Sequence, residues 1–363
     1  MYNTALNLIN KISSFGYQVY IVGGFPRDLY LKRESVDVDI CTDAKPRDIM
    51  QIFSNIVKTN VEYGSVVLMY EGVRFEITTF RRENKYSNFR KPIDVKYSAS
   101  LKEDLKRRDF TINTLCIDKD GNTIDLLNSK EDLDKKVIRM VGNPKIRLKE
   151  DALRILRAIR FATILNFELE PVLKAYIKKY GYLLKKLSKD RIKYELDIIF
   201  ASKNKEYGIS LLNELKLCDA LEIPNLRKIK ITPSMIVTYS ELDVLDKYNF
   251  TSNERETIKT LKILKDKDLL DPKVLYKYGL YDCTLAAELV GISKKDINKV
   301  YSKMPIHSRL DIAVSPPLIC DVLNKEPGSF LKELISDLEN KILSGNIKND
   351  KEVIINYITK TYL

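Results

Sequence analysis

In the stretch VDVDI, Asp37 and Asp39 alternate with valines, shortly after a glycine pair, Gly23-Gly24, and an arginine, Arg27. Alternate side chains of a strand share a face, so the two carboxylates would stand together while Val36, Val38 and Ile40 turn the other way. Carboxylates so placed repel unless a cation sits between them. Mg2+ takes oxygen ligands and bridges to phosphate, so the pair could hold one or two such ions. The glycines let backbone N–H groups approach an anion where a strand turns into a helix, with Pro26 expected as its first residue and Arg27 as a nearby cation. In VRFEITTF, Glu76 is either a third carboxylate of the set or an exposed edge-strand glutamate, and the residues support both readings equally.

Two further stretches carry charge at suggestive spacing. RRDFTIN offers Arg108, Asp109 and Asn113, and by itself reads as a charged helix start capped by Asp109. In EDALRILRAIRF the helical wheel gathers Ala152, Ile155, Leu156 and Ile159 in one arc, with Glu150, Asp151, Arg154 and Arg157 away from it. Asp151 and Arg154, three apart, are surface neighbours that alone read as an ion pair.

The elements needed to position these residues follow from pattern. YQVYIVGG predicts a strand ending on the glycines, VDVDI a second strand, and AKPRDIMQIFSNI a helix with an early proline. SVVLMY and VRFEITTF, joined by Glu71-Gly72, predict a hairpin, and CIDKDGNTIDLL another through Asp120-Gly121. Beyond about residue 140 the apolar residues recur at three- and four-residue spacing almost to the end. The fold class is therefore α+β, a small mixed-sheet head followed by an all-α remainder. At 363 residues the chain exceeds one compact core, so several domains are expected.

Composition limits the chemistry. The single histidine, His307, rules out a histidine-rich metal centre, and five scattered cysteines suggest buried thiols rather than disulfides or a zinc site. Metal binding must rest on carboxylates. The net charge of +12 is spread along the chain, and on charge alone a polyanion-binding face and a lysine-rich solvated surface are equally well supported. With no long apolar run and no leader-like start, a cytoplasmic protein without membrane contact is expected.

GGFPRD and DVD, then EDLKRRDFTIN, then EDALRILRAIRF stand in the order and spacing of class II tRNA nucleotidyltransferases, the CCA-adding enzymes of the polymerase-β-like superfamily. The chain resembles them strongly over about residues 16–200 and weakly again in MPIHSRLDIAVS and after. The resemblance implies template-independent addition of C, C and A to tRNA 3′ ends from CTP and ATP, with release of pyrophosphate. It implies that Gly23, Gly24 and Arg27 bind the triphosphate, and that Asp37 and Asp39 hold Mg2+ as catalytic ligands, with Glu76 beside them. Arg108, Asp109 and Asn113 would contact ribose and phosphate. Asp151, Arg154 and Arg157 would read the nucleobase, since cytosine and adenine both pair an amino donor with a ring-nitrogen acceptor. A flexible loop, RRENKYSNFRKPIDVKYSASLKEDL, with Arg82, Lys85, Arg90 and Lys91, would serve the change from C to A. Departures from the family pattern, at Asn128-Ser129, Asn143, Leu148 and the SPP of the tail, fall on connecting turns.

The expected division is a head at 1–138, a base-reading neck at 139–200, a helical body at 201–265 and a helical tail at 266–363, the last binding the acceptor and TΨC arms of tRNA. No obligate protein partner is evident. The rival readings are a poly(A) polymerase, an enzyme adding only CC or only A, and a basic RNA-binding protein with a silent head.

Overall fold

The computed structural model describes all residues except Val36, Glu62, Tyr63, Ala99 and 88–90, and, within 83–87 and 91–95, the backbone alone. It forms two compact units, Met1–Arg227 and Lys228–Leu363, with the division inside the segment expected to be the body.

In the first unit, helix α1 (Tyr2–Ser14) lays Ala5, Leu8, Ile9 and Ile12 on a sheet. That spacing is the apolar stripe of one helical face. Strand β1 (Val19–Val22) is followed by α2 (Gly24–Tyr30), β2 (Val38–Thr42) and α3 (Pro46–Ile52). Next come β3 (Ile56–Asn60), β4 (Ser65–Tyr70) and β5 (Val73–Thr79). Among the described residues, strands β6 (Arg81–Ser87) and β7 (Lys91–Tyr97) then pair only with each other, antiparallel. The segment expected to be a loop is thus a two-stranded hairpin in its described parts, as the alternating β-formers Ile93, Val95 and Tyr97 allow. Its root is tied to helix α4 (Leu101–Lys106), where the Arg81 N–H donates to Asp104 at 3.3 Å.

Two short strands, β8 (Cys116–Ile117) and β9 (Thr123–Ile124), complete a seven-stranded sheet in the order β3-β4-β5-β2-β1-β8-β9. Only β2 and β5 run parallel, so the sheet is mixed. Strand β1 sits between β2 and β8 and is buried nearly throughout, as its β-branched residues suit. Pro26 is the third residue of α2, not the first as expected, because the helix starts at Gly24.

Helix α5 (Ser129–Asp134) begins after Asn128, whose φ of 58° is left-handed. Asparagine is the residue after glycine that best tolerates this region, so the chain keeps its turn where a glycine pair was expected. A parallel pair, β10 (Val137–Ile138) with β11 (Glu168–Leu169), brackets α6 (Pro144–Glu150) and α7 (Leu153–Leu165). Asn143, another departure, caps α6 by accepting the Lys145 N–H at 2.9 Å. Helix α8 (Pro171–Tyr180) packs on α6, and helices α9 (Lys189–Ala201) and α10 (Lys205–Glu214) pack on α7. Gly208 of α10 allows a close approach: a Cβ there would lie 2.5 Å from Thr163 Oγ1 and 2.7 Å from Ile199 Cγ2. A Gly208→Ala change would push α10 off α7 and α9.

The second unit is helical and has its own core, including Leu261, Leu275, Ile297, Leu338 and Ile354. Its longest helical stretch, Pro272–Val290, is kinked at Gly279, where φ is 79°. Among the described residues no helix is long and apolar enough to cross a membrane.

Candidate active site

Strand β1 delivers the chain to Gly23 at the mouth of a 380 Å³ cleft. Gly23 has φ +87°, and a Cβ there would stand 3.0 Å from Asp39 Oδ2. Glycine is therefore required twice, for the backbone turn and for the carboxylate beside it. Four residues on, Arg27 is buried and lines the same cleft. Its Nε and Nη2 donate to the two oxygens of Asp28, each at 2.9 Å, and Nη1 donates to Asn113 Oδ1 at 2.7 Å.

The opposite wall begins at β2. Asp39 lies in register with Val22 of β1 and Glu76 of β5, and Asp37 stands just before the strand, both lining the cleft. Val38 and Ile40 point into the core as alternation requires. Asp39 opens to the cleft, but the protein packed around its carboxyl pushes its pKa above the usual carboxylate value. Arg108 opposes that rise, and the charges of Glu76 and Asp37 add to it.

The third wall comes from the turn after α4 and from α7. Asp109 accepts the Phe110 N–H at 2.8 Å, Asn113 Nδ2 at 3.1 Å and Arg157 Nε at 2.8 Å. Burial alone would raise its pKa, but Arg157 and these hydrogen bonds hold it well below the usual carboxylate range. Arg157, Arg160 and Phe161 of α7 reach the cleft. The Phe161 ring has the guanidinium carbons of Arg27, Arg157 and Arg160 at 5.3, 5.5 and 4.6 Å from its centre.

The cleft therefore has carboxylates on one wall, guanidiniums on another and a glycine turn between them, and this arrangement spans residues matched to known proteins. Residues 19–139 match the family described as poly A polymerase head domain. Residues 166–228 match a probable RNA and SrmB-binding site of polymerase A, and 240–358 a putative domain 2 of tRNA nucleotidyltransferase. A CCA-adding enzyme of Enterococcus faecalis is 34% identical, over 99% of this chain and 96% of that protein. One of Bacillus cereus is 31% identical, over 100% and 99%. The chain belongs to the CCA-adding enzyme family. The crystal structure of the Bacillus stearothermophilus CCA-adding enzyme in complex with CTP superimposes with a TM-score of 0.85 at 26% identity, covering 99% of this chain and 97% of that one.

As a CCA-adding enzyme the chain is a nucleotidyltransferase, a class that depends on a divalent metal, and the cleft suits such an ion. Its donors are all oxygen, and the crowding that raises the Asp39 pKa is what a cation would relieve. Among the described residues no three side chains of the metal-binding types gather closely enough to hold an ion unaided, so Asp37 and Asp39 would share it with water and phosphate. Glu76 is exposed but not on an edge: β5 lies between β4 and β2, which removes the edge-strand reading. It accepts the Ser65 hydroxyl at 2.6 Å and does not line the cleft.

Several residues expected at the site of this CCA-adding enzyme stand elsewhere. Arg108 turns behind the wall, with Nη2 donating to buried Asp104 at 3.3 Å. Helix α6 ends at Glu150, and Asp151 adopts φ −140° and ψ 101° at a break before α7. The single helix read through EDALRILRAIRF is corrected to two helices with Asp151 at the joint. The Asp151 carboxylate accepts the Leu153 N–H at 3.0 Å, and burial raises its pKa against the opposing charge of Arg154. Arg154 Nη1 donates to the Arg147 carbonyl at 2.8 Å and to Glu150 Oε2 at 3.3 Å. Neither Asp151 nor Arg154 lines the cleft wall that Arg157 does. Arg82 pairs with Glu103 at 2.9 Å, away from the cleft, and Arg90 lies outside the described residues, as do the side chains of Lys85 and Lys91.

Arg160, Phe161, Asp28, Glu34 and Ser35 line the cleft without having been singled out by sequence. A signal existed for Arg160, since Arg154, Arg157 and Arg160 recur every third residue on one helix.

Proposed function

We propose that this CCA-adding enzyme extends the 3′ end of tRNA by C, C and A, taking CTP and ATP and releasing pyrophosphate. The reading rests on one observation: in a chain of this family, a cleft of nucleotide size sets Asp37 and Asp39 beside Gly23, Gly24 and Arg27. Gly23 and Gly24 give the triphosphate room against the backbone, and Arg27, held by Asp28 and Asn113, faces its charge. Asp109 and Asn113, locked to Arg157 and Arg27, meet the ribose. Asp37 and Asp39 hold Mg2+, which when bound acidifies the RNA 3′-hydroxyl and stabilises charge on the α-phosphate and the leaving pyrophosphate.

Asp151, Arg154 and Arg157 select the base. A carboxylate accepts from an amino group and a guanidinium donates to a ring nitrogen, a pattern that C and A satisfy and U and G reverse. Each mismatched buried group costs about 1–3 kcal/mol. Asp151→Ala is therefore expected to raise UTP and GTP use relative to CTP and ATP by about tenfold or more. Competition assays on nucleotide pairs measure this ratio, and an unchanged ratio would leave Asp151 a joint residue only.

The head, neck, body and tail are assigned to 1–138, 139–200, 201–265 and 266–363, with tRNA held through its acceptor and TΨC arms by lysine and arginine contacts to phosphate. Glu76 supports Asp39 from the next strand, Arg108 serves the ribose and phosphates with Asp109 and Asn113, and Arg82 and Arg90 serve the change from C to A. The working compartment is the cytoplasm.

The family description matched by residues 19–139 also favours a second reading, a poly(A) polymerase. Both are tested by incubating the protein with Mg2+ and tRNAs ending at the discriminator base, at C and at CC, with CTP, ATP or both. With both nucleotides, three, two and one additions respectively, and no more, are expected. Long A tails on generic RNA would favour the polymerase, stalling after CC would mark a partial enzyme, and no incorporation at all would leave an RNA-binding scaffold.

A further inference from the structure

Outside the cleft the most unusual charge in the first unit is Glu195, on α9. It is 2% exposed and does not line the cleft, yet its carboxylate lies against a residue that does. Arg160 Nη1 donates to Glu195 Oε1 at 3.3 Å and lies 3.1 Å from Oε2, which accepts no hydrogen bond from any described residue. Among the described residues, Nη1 is the one nitrogen of this guanidinium with a hydrogen-bond partner. Nε and Nη2 are thus left for the cleft that Arg160 lines.

A buried carboxylate with an unfilled acceptor is costly, and α9 could have held α7 with an apolar side chain instead. The carboxylate needs another explanation, and Arg160 supplies it. A guanidinium on a long side chain has many rotamers. Here two contacts fix it: the face of Phe161 at 4.6 Å and the carboxylate of Glu195 behind it. The other guanidiniums of the cleft are held in the same way, Arg27 by Asp28 and Arg157 by Asp109. Each cation has its own carboxylate, and Glu195 is the one supplied from a separate helix 35 residues away.

We propose that Glu195 is a positioning residue for nucleotide binding, holding the Arg160 guanidinium in the orientation that meets the incoming nucleotide. The proposal rests on the reading that the cleft takes the nucleotide. Glu195 touches no substrate and acts only through Arg160. A merely structural carboxylate would alter stability and leave substrate affinity alone, and this difference defines the test.

Steady-state kcat and KM are measured for CTP on tRNA ending at the discriminator base and for ATP on tRNA ending in CC. The proteins are wild type, Glu195→Gln, Arg160→Gln and the double variant, with Tm recorded for each. Glu195→Gln is expected to raise KM for both nucleotides about tenfold, the loss of one charge-assisted contact, with KM for tRNA unchanged. Arg160→Gln should raise it at least as much, and the double variant no further, because the two residues act as one unit. If Glu195→Gln does not fold, Glu195→Asp, which keeps the charge but withdraws it by one methylene, gives the same comparison. A wild-type nucleotide KM in an active Glu195 variant, or effects of the two substitutions that multiply, would overturn the proposal. A wild-type protein that adds neither nucleotide would overturn the assignment of the cleft itself.

Discussion

Asp39→Asn is expected to lower nucleotide incorporation by about 1,000-fold, the scale on which losing one preorganised electrostatic contact to a transition state acts, and to leave tRNA binding unchanged. Asp37→Asn should do the same. The structure adds a stability effect of opposite sign. Packing around Asp39, with Glu76 and Asp37 nearby, raises its pKa in the folded protein. Ionisation is then harder in the folded than in the unfolded chain. The penalty is absent below the unfolded value of about 3.9, grows as pH rises through the folded value and is complete above it. Asp39→Asn should therefore raise Tm at neutral pH in metal-free buffer, and adding Mg2+ should raise the Tm of the wild type but not of the variant. Quench-flow incorporation assays and thermal denaturation with and without Mg2+ measure both effects. Wild-type incorporation by the variant would refute the metal assignment.

Asp109→Ala has the largest expected effect on folding. Its carboxylate satisfies Arg157, Asn113 and the Phe110 N–H together, and its side chain is 11% exposed. Removing it strands the Arg157 guanidinium and should cost about 3 kcal/mol. Because its folded pKa is depressed, this contribution is complete above the unfolded value of about 3.9 and fades as pH falls below that toward the folded value. Urea unfolding at pH 7 and pH 3 should show a wide gap between wild type and Asp109→Ala at the higher pH and a narrower one at the lower. A gap that does not narrow would assign the stability to packing rather than to charge.

What could be read in advance follows from the range of each signal. Strand alternation is local, so Asp37 and Asp39 on one wall, and Val38 and Ile40 behind it, were legible from a few residues. Helical periodicity is also local, but it runs straight through a break when neighbouring residues are good helix formers. EDALRILRAIRF hid the joint at Asp151 for that reason. Strands β10 and β11 are two residues each, too short for any period to show. The destination of Arg108 and the pairing of Arg160 with Glu195 depend on which helix packs on which, and no motif records that. Asn128 departs from the family pattern at a turn, and its left-handed φ explains why the departure is tolerated.

Strand β1 carries a last consequence, for biosynthesis. Four residues near the N-terminus pair with 39–42 on one side and with 116–117 on the other, and Arg27 reaches Asn113, 86 residues along the chain. Such distant partners make the head a topology of high contact order, and loop closure must precede any reward from pairing. A chain emerging from the ribosome exposes its glycine pair, Arg27 and both aspartates long before β8 exists. The cleft stays open until α7 and then α9 have followed. The phosphate-handling residues are made first and become a site last, so an interrupted chain carries the chemistry of the enzyme without its architecture.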